Sequence, residues 1–148
     1  MTENEQRIIS TAINILNSHL KVNPIKITSC EAVINFLRLQ LENKEREVFG
    51  VLFLNQQSVL ISYEEMFLGT INLAPIYPRE IAKRALLLNA TGIILTHNHP
   101  SGFAEPSRAD ISATEAVSEA LDLFSIRVLD HIIIGGGEHV SFNERGLL

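Results

Sequence analysis

The sequence has little of what a secreted, disulfide-bonded or membrane-spanning protein needs. Its single cysteine, Cys30, excludes an internal disulfide bond and any zinc site built from paired cysteines. Its longest apolar stretches, such as Ile132–Ile134 and Ala85–Leu88, are far too short to cross a bilayer. The acidic N-terminus lacks the hydrophobic region of a signal peptide, so we expect a cytoplasmic protein.

Positive charge is also scarce. The chain has 12 Lys and Arg against 17 Asp and Glu, and its net charge is −5. Nucleic-acid-binding proteins usually carry a basic stripe, because neutralising phosphates supplies most of their non-specific affinity. The nearest approach to such a stripe is Arg79, Lys83 and Arg84 on a predicted helix, which we interpret as a solvated helix face. The sequence therefore gives no direct support for DNA binding.

The chain is rich in apolar residues, and these recur at the spacings of amphipathic helices and buried strands. Hydrophobic residues make up 46% of its 148 residues, enough for one compact domain with a short appended segment. We predict an N-terminal helical segment over residues 1–41 and a larger domain over residues 42–148. Within the first segment, Thr2 with Glu5 and Thr28 with Glu31 have the spacing of helix capping boxes.

The remaining elements follow the order ββαβαββ. Strands are predicted at Val48–Leu54, Val59–Phe67, Gly92–Thr96, Ile126–Ile134 and His139–Phe142, and helices at Pro78–Asn89 and Ser107–Phe124. The first strand is a nearly continuous apolar run, which is typical of a strand covered on both faces. This order predicts an α/β domain in which helices flank a mixed β-sheet.

The most informative motif begins where the third predicted strand ends. His97-Asn98-His99 is followed by Ser107 and Asp110, giving the pattern H-x-H-x7-S-x2-D. Two imidazoles and one carboxylate are ligands of the kind that a hydrolytic zinc ion uses, and they leave the fourth position for water. The pattern predicts a Zn²⁺ site formed by His97, His99 and Asp110, and with it metal-dependent hydrolysis.

Such hydrolysis also needs a group that takes a proton from water and later returns it to the leaving group. Glu47 is the best candidate, because a carboxylate directly before a buried strand is costly unless it has a partner. Ser107 is a candidate donor to the oxyanion that develops on a substrate carbonyl. Structural interpretations stand beside these: Ser107 with Asp110 is also a capping box, and Glu47 alone is a strand-edge carboxylate.

His131 is a weaker candidate. It follows Asp130 at the head of an apolar strand, where it would either orient a metal ligand or pack as a hydrogen-bonded core histidine. His19 and His139 have no partner residues at useful spacing. We expect Asn98 to shape the ligand loop rather than to perform chemistry.

The sequence resembles the JAMM (JAB1/MPN-type) metalloprotease motif in two features taken together. Glu47 precedes an apolar strand, and His97, His99, Ser107 and Asp110 follow in the H-x-H-x7-S-x2-D pattern. More narrowly, three segments resemble the bacterial RadC family over about residues 30–148: Pro78-Arg79-Glu80, Thr96-His97-Asn98-His99-Pro100-Ser101-Gly102 and Asp130-His131. The resemblance implies the JAB1/MPN fold, which is related to cytidine deaminases. It implies that His97, His99 and Asp110 bind zinc, that Glu47 is the general acid/base and that Ser107 donates to the oxyanion.

The resemblance implies a zinc metallopeptidase that acts on a peptide or protein substrate. Full-length RadC proteins carry a helix-hairpin-helix segment before this domain, and the residues ahead of Glu47 are too few for it. The alternative is a module that acts in DNA repair or in a mobile element, with a structural or inactive zinc site. Nucleoside deamination is disfavoured because His99 stands where that chemistry expects a glutamate, and no second cysteine is present. The substrate and the oligomeric state stay open.

Overall fold

The computed structural model describes residues 1–22, 27, 29–69 and 76–148, and these form helices and strands in the predicted order. The helices are α1 (Glu3–Val22), α2 (Cys30–Leu41), α3 (Pro78–Leu87) and α4 (Arg108–Asp122). The strands are β1 (Val48–Leu54), β2 (Leu60–Leu68), β3 (Gly92–Asn98), β4 (Arg127–Gly135) and β5 (Glu138–Ser141). Among these residues, no helix is long and apolar enough to span a membrane.

The strands form one mixed sheet in the order β2-β1-β3-β4-β5. β3 and β4 run parallel and are joined by α4, while the other neighbouring strands are antiparallel. A parallel pair needs such a crossover, because a tight turn can only join antiparallel strands. The predicted fold class, an α/β domain with a mixed sheet flanked by helices, is confirmed.

Helices cover both faces of the sheet, which explains why β1 is apolar throughout and β3 is apolar as far as Leu95. All seven residues of each strand are buried. Successive side chains of a strand point to opposite faces. Leu52 and Ile94 therefore pack with Leu37 of α2 in one core cluster, whereas Phe53 and Leu95 pack in a second cluster that includes residues of α3 and α4. The two clusters make a three-layered molecule.

The boundaries predicted for the strands and for the two helices after residue 42 all lie within two residues of the observed ones, and one of these differences concerns the site. The third strand was predicted to end at Thr96, but β3 continues to Asn98 because it stays paired with β4 as far as Ile134. His97 is therefore a strand residue in the interior rather than a residue beyond the strand end. Its side chain is 1% exposed.

The N-terminal segment is helical as predicted. Thr2 and Glu5 exchange the two hydrogen bonds of a capping box at the start of α1. Thr28 lies outside the described residues, and the residue that caps α2 is Ser29, whose hydroxyl accepts from the backbone N–H of Ala32. The division of the chain at residue 41 stays a prediction, although α2 shares a core cluster with β1, β3 and β4.

The β4–β5 turn holds the loop that follows β3. Gly136 has a φ of 58°, and a Cβ atom there would overlap the carbonyl oxygen of Gly102. Gly135 is similarly confined, since its Cβ would lie 3.1 Å from the carbonyl oxygen of His99. The two backbones approach this closely only because the turn residues lack side chains.

We predict that Gly136→Ala destabilises the protein by about 1–3 kcal/mol more than Gly146→Ala, because only the first substitution overpacks a neighbouring backbone. Gly146 is a matched control: its φ is 72°, and an added Cβ meets nothing within 4 Å. Both variants therefore carry the strain of a left-handed alanine. Urea unfolding of the two proteins measures the difference, and equal stabilities would show that the turn does not hold the loop.

Candidate metal centre

The two histidines of the motif lie where β3 ends in the middle of the sheet. His97 is the penultimate residue of β3, and His99 follows the strand, with its backbone N–H donating to the carbonyl of Ile134 at 2.8 Å. This bond keeps the chain extended past the strand end, so side chains two residues apart project to the same side. The Nε2 atoms of His97 and His99 consequently lie 2.8 Å apart.

Asp110 reaches the same point from the first turn of α4. Its backbone N–H donates to the Ser107 hydroxyl oxygen at 3.0 Å, and its Oδ2 accepts from the Ser107 backbone N–H at 2.8 Å. The predicted capping box is therefore present. A carboxylate is also stabilised at a helix N-terminus by the helix dipole. The cap aims the carboxylate at the histidines: Oδ1 lies 3.2 Å from His97 Nε2, and Oδ2 lies 3.2 Å from His99 Nε2.

The hydrogen bond of His99 identifies which of its ring nitrogens is free. Nδ1 lies 2.7 Å from the carbonyl oxygen of Phe103, and a carbonyl can only accept, so Nδ1 carries the hydrogen. A neutral His99 then presents the Nε2 lone pair to His97 and Asp110. Two ring nitrogens and a carboxylate crowded around one point form a donor set that suits zinc. The residues present therefore fit the metal that the motif implies.

Glu47 approaches the same point from the segment just before β1. Its Oε1 lies 3.7 Å from His99 Nε2, and its side chain is 14% exposed. Glu47, His97 and His99 each offer one ligand atom, and these atoms lie within 4.8 Å of one another. Burial raises the pKa of the Glu47 carboxyl, although His97 and His99 oppose the shift. Glu47 is thus placed either to bind a metal ion or to exchange protons beside one.

Asn98 fixes the backbone on both sides of Glu47. Its Oδ1 accepts from the backbone N–H of Val48 at 2.7 Å, and its Nδ2 donates to the carbonyl oxygens of Lys44 and Arg46 at 3.3 and 3.0 Å. The residue between the two histidines therefore ties β3 to the segment that carries the carboxylate. This role agrees with the prediction that Asn98 shapes the site, but sequence reasoning placed its effect in the loop after β3.

His131 lies behind His97, away from Asp110. It is fully buried, and its Nε2 lies 2.8 Å from His97 Nδ1. Its Nδ1 lies 2.6 Å from the hydroxyl of Thr114, one turn after Asp110 in α4. Sequence reasoning missed Thr114, and the only available signal was its position four residues after a predicted ligand.

Electrostatics in the site favour a cation. Burial raises the pKa of Asp110, but its close contacts with His97 and His99 outweigh burial and hold that pKa well below its usual value. The hydrogen bond to Asp110 raises the pKa of His99 in turn. Without a metal ion, a proton on His99 is therefore the cation that balances the carboxylate.

The structure brings together four of the five residues that the sequence singled out: Glu47, His97, His99 and Asp110. Ser107 lies beside them, with its hydroxyl oxygen engaged in the helix cap. The division of these residues into ligands and catalytic groups stays a prediction.

The cations predicted on α3 are partly neutralised. The guanidinium of Arg84 forms an ion pair with Glu64 at 2.6 Å, and Arg79 lies 3.5 Å from Glu80. These pairs agree with the interpretation of this face as a solvated helix surface.

Comparison with known proteins identifies the family. The family model described as RadC-like JAB domain matches residues 27–147, most of the chain. The chain belongs to this family. The match begins ahead of α2 and spans all four residues that converge in the site and Ser107.

This chain covers nearly the full length of some relatives but less than two thirds of others. UPF0758 protein YkfG of Escherichia coli K12 is 47% identical over 148 residues, which cover the whole of this chain and 94% of the relative. UPF0758 protein YfjY of the same organism is 46% identical, with 97% of this chain and 89% of the relative covered. A UPF0758 protein of Methylibium petroleiphilum is 52% identical over 95% of this chain, but the match spans only 63% of that relative.

We predict that zinc affinity falls as the pH falls through the raised pKa of His99. Below that pKa the imidazolium is present and competes with the metal, because a histidine ligand must be deprotonated. Above it the competition disappears. One competing proton weakens binding by about tenfold for each pH unit.

Competition with a chelator across pH 6 to 8 measures this dependence. The expected midpoint lies above the ordinary histidine pKa of about 6.5. Affinity that stays constant down to about pH 6 would contradict a site that takes up a proton when it loses its metal.

Proposed function

We propose that the protein is a zinc-dependent metallohydrolase of the RadC/JAMM type, and that it cleaves a peptide or isopeptide bond. The observation that carries the proposal is the convergence of two Nε2 atoms, 2.8 Å apart, on the Asp110 carboxylate, with the Glu47 carboxylate beside them. Membership in the RadC-like JAB domain family supports it.

His97, His99 and Asp110 would hold the ion. Each is fixed by a further contact: His97 by His131, His99 by the Phe103 carbonyl and Asp110 by the helix cap. Bound there, zinc would supply Lewis-acid activation of water and of the substrate carbonyl.

Glu47 would move the proton. Its carboxylate has only one close contact with the cluster, 3.7 Å to His99 Nε2, whereas Asp110 contacts both histidines at 3.2 Å. Glu47 is thus the carboxylate that stays available to accept a proton from the attacking water and return it to the leaving amine. Burial raises its pKa, which brings it closer to the operating pH, where proton transfer in both directions is most efficient.

Ser107 would assist at the developing oxyanion. Its oxygen already accepts the hydrogen bond from the Asp110 backbone N–H, but a hydroxyl also has one hydrogen to donate. The Ser107 residue is exposed, so that hydrogen is accessible to a substrate. The helix cap and the donation to substrate are therefore compatible functions of one hydroxyl group.

We predict that Glu47→Gln lowers hydrolysis by about 100- to 10,000-fold, the usual contribution of a general acid/base. The variant should still bind zinc as the wild type does, because the amide replaces a proton-transfer group and not a ligand. Cleavage of a panel of fluorogenic peptides and lysine-ε-linked isopeptides, with zinc content measured on the same samples, tests both expectations.

Glu45→Gln is the matched control, since it makes the same chemical change at an exposed residue two positions earlier. It should leave both hydrolysis and zinc content unchanged. Full hydrolysis by Glu47→Gln would refute the assigned role. Loss of zinc from Glu47→Gln would instead make Glu47 a ligand, and the division of roles between Glu47 and Asp110 would have to be reversed.

A further inference from the structure

A chain of buried polar groups runs from α4 to the back of His97. The hydroxyl of Thr114 lies 2.6 Å from His131 Nδ1, and His131 Nε2 lies 2.8 Å from His97 Nδ1. Exposure of these residues is 2% for Thr114, 0% for His131 and 1% for His97. In such an enclosed chain each contact needs one donor and one acceptor, because an unpaired polar group would be costly.

The direction of these hydrogen bonds follows from the single hydrogen of the Thr114 hydroxyl. That hydrogen is donated to the carbonyl oxygen of Asp110, 2.7 Å away in the same helix. The hydroxyl oxygen can then only accept from His131, so the His131 hydrogen is on Nδ1. His131 is fully buried, where a charged imidazolium would be costly, so the ring is neutral and its Nε2 carries a lone pair.

The same reasoning continues to His97. Because His131 Nε2 can only accept, the hydrogen between the two rings is on His97 Nδ1. The Nε2 atom of His97, which faces His99 and Asp110, is then free of hydrogen and able to bind a metal ion. The reverse direction would place a hydrogen on this Nε2 atom.

Aromatic packing prevents the His131 ring from flipping, which would exchange the positions of Nδ1 and Nε2. Its ring stacks on Phe142 with centroids 4.5 Å apart and meets the edge of Phe49 at 5.6 Å. Both phenylalanines are buried, so the two ring nitrogens cannot exchange positions without disturbing the core. The direction of these hydrogen bonds can therefore change only if hydrogens move between ring nitrogens.

We propose that Thr114 and His131 are positioning residues that set the tautomer of His97 and so keep its Nε2 ready for the metal ion. The inference rests on the proposed function to the extent that it places zinc at this point. Groups that orient a metal ligand typically contribute about 10- to 100-fold to metal affinity. Thr114 lies in the helix whose first turn carries Asp110. The helix α4 would therefore supply one metal ligand and also set the tautomer of a second ligand, His97.

Thr114→Val tests the proposal, because valine keeps the shape of threonine and removes the hydroxyl. His131 Nδ1 would then have no acceptor. The His131 hydrogen would move to Nε2 and be donated to His97 Nδ1, so that the His97 hydrogen occupies Nε2. The expected result is zinc affinity lower by about 10- to 100-fold in competition with a chelator. Thr114→Ser retains the hydroxyl and should keep the affinity of the wild type.

NMR of the histidine ring nitrogens in the metal-free proteins supplies a readout that depends on neither zinc nor hydrolysis. The wild type and Thr114→Ser should carry the His131 hydrogen on Nδ1, and Thr114→Val should carry it on Nε2. A His131 hydrogen on Nε2 in the wild type would overturn the proposal, as would wild-type zinc affinity in Thr114→Val. If no protein binds zinc, the proposed function fails, yet the ring-nitrogen spectra still decide the direction of the chain.

Discussion

The close approach of His97 Nε2, His99 Nε2 and the Asp110 carboxylate is the constraint on which the rest of the site depends. Nitrogen lone pairs and a carboxylate gathered at one point repel one another unless a cation lies among them. The surrounding contacts hold them there: the helix cap fixes Asp110, the Phe103 carbonyl fixes His99, and His131 fixes His97. The site is therefore organised to hold positive charge.

The sheet brings the four groups together through strand direction. β1 and β3 are antiparallel neighbours, and Phe49 pairs with His97, so the start of one strand lies beside the end of the other. Glu47, which precedes β1, consequently approaches the histidines, and Asn98 strengthens this contact with its three hydrogen bonds. The connection from β3 through α4 to the parallel strand β4 then places the N-terminus of α4, which carries Asp110, beside the end of β3.

Sequence reasoning predicted most of the fold because the buried strands are short apolar runs and the capping patterns are local. It also found the converging residues, because the motif places them at strand and helix ends. Among the contacts that orient them, it predicted the helix cap at Asp110 and named His131 as a candidate, but it did not find the role of Thr114 or the partners of Asn98. His131 is 34 residues from His97, and the interaction of Asn98 with Val48 spans 50 residues, so both depend on strand register. The extension of β3 through His97 was missed because pairing with β4, and not local propensity, keeps that segment extended.

The central claim is that this cluster binds a metal ion, and the most direct measurement is the metal content of the purified protein. Inductively coupled plasma mass spectrometry of protein purified without added metal would be compared with the double variant His97→Ala/Asp110→Ala, with circular dichroism as the check on folding. The account predicts about one zinc ion per chain in the wild type and none in the variant. A folded wild-type protein that holds no metal, even after zinc is supplied, would contradict it.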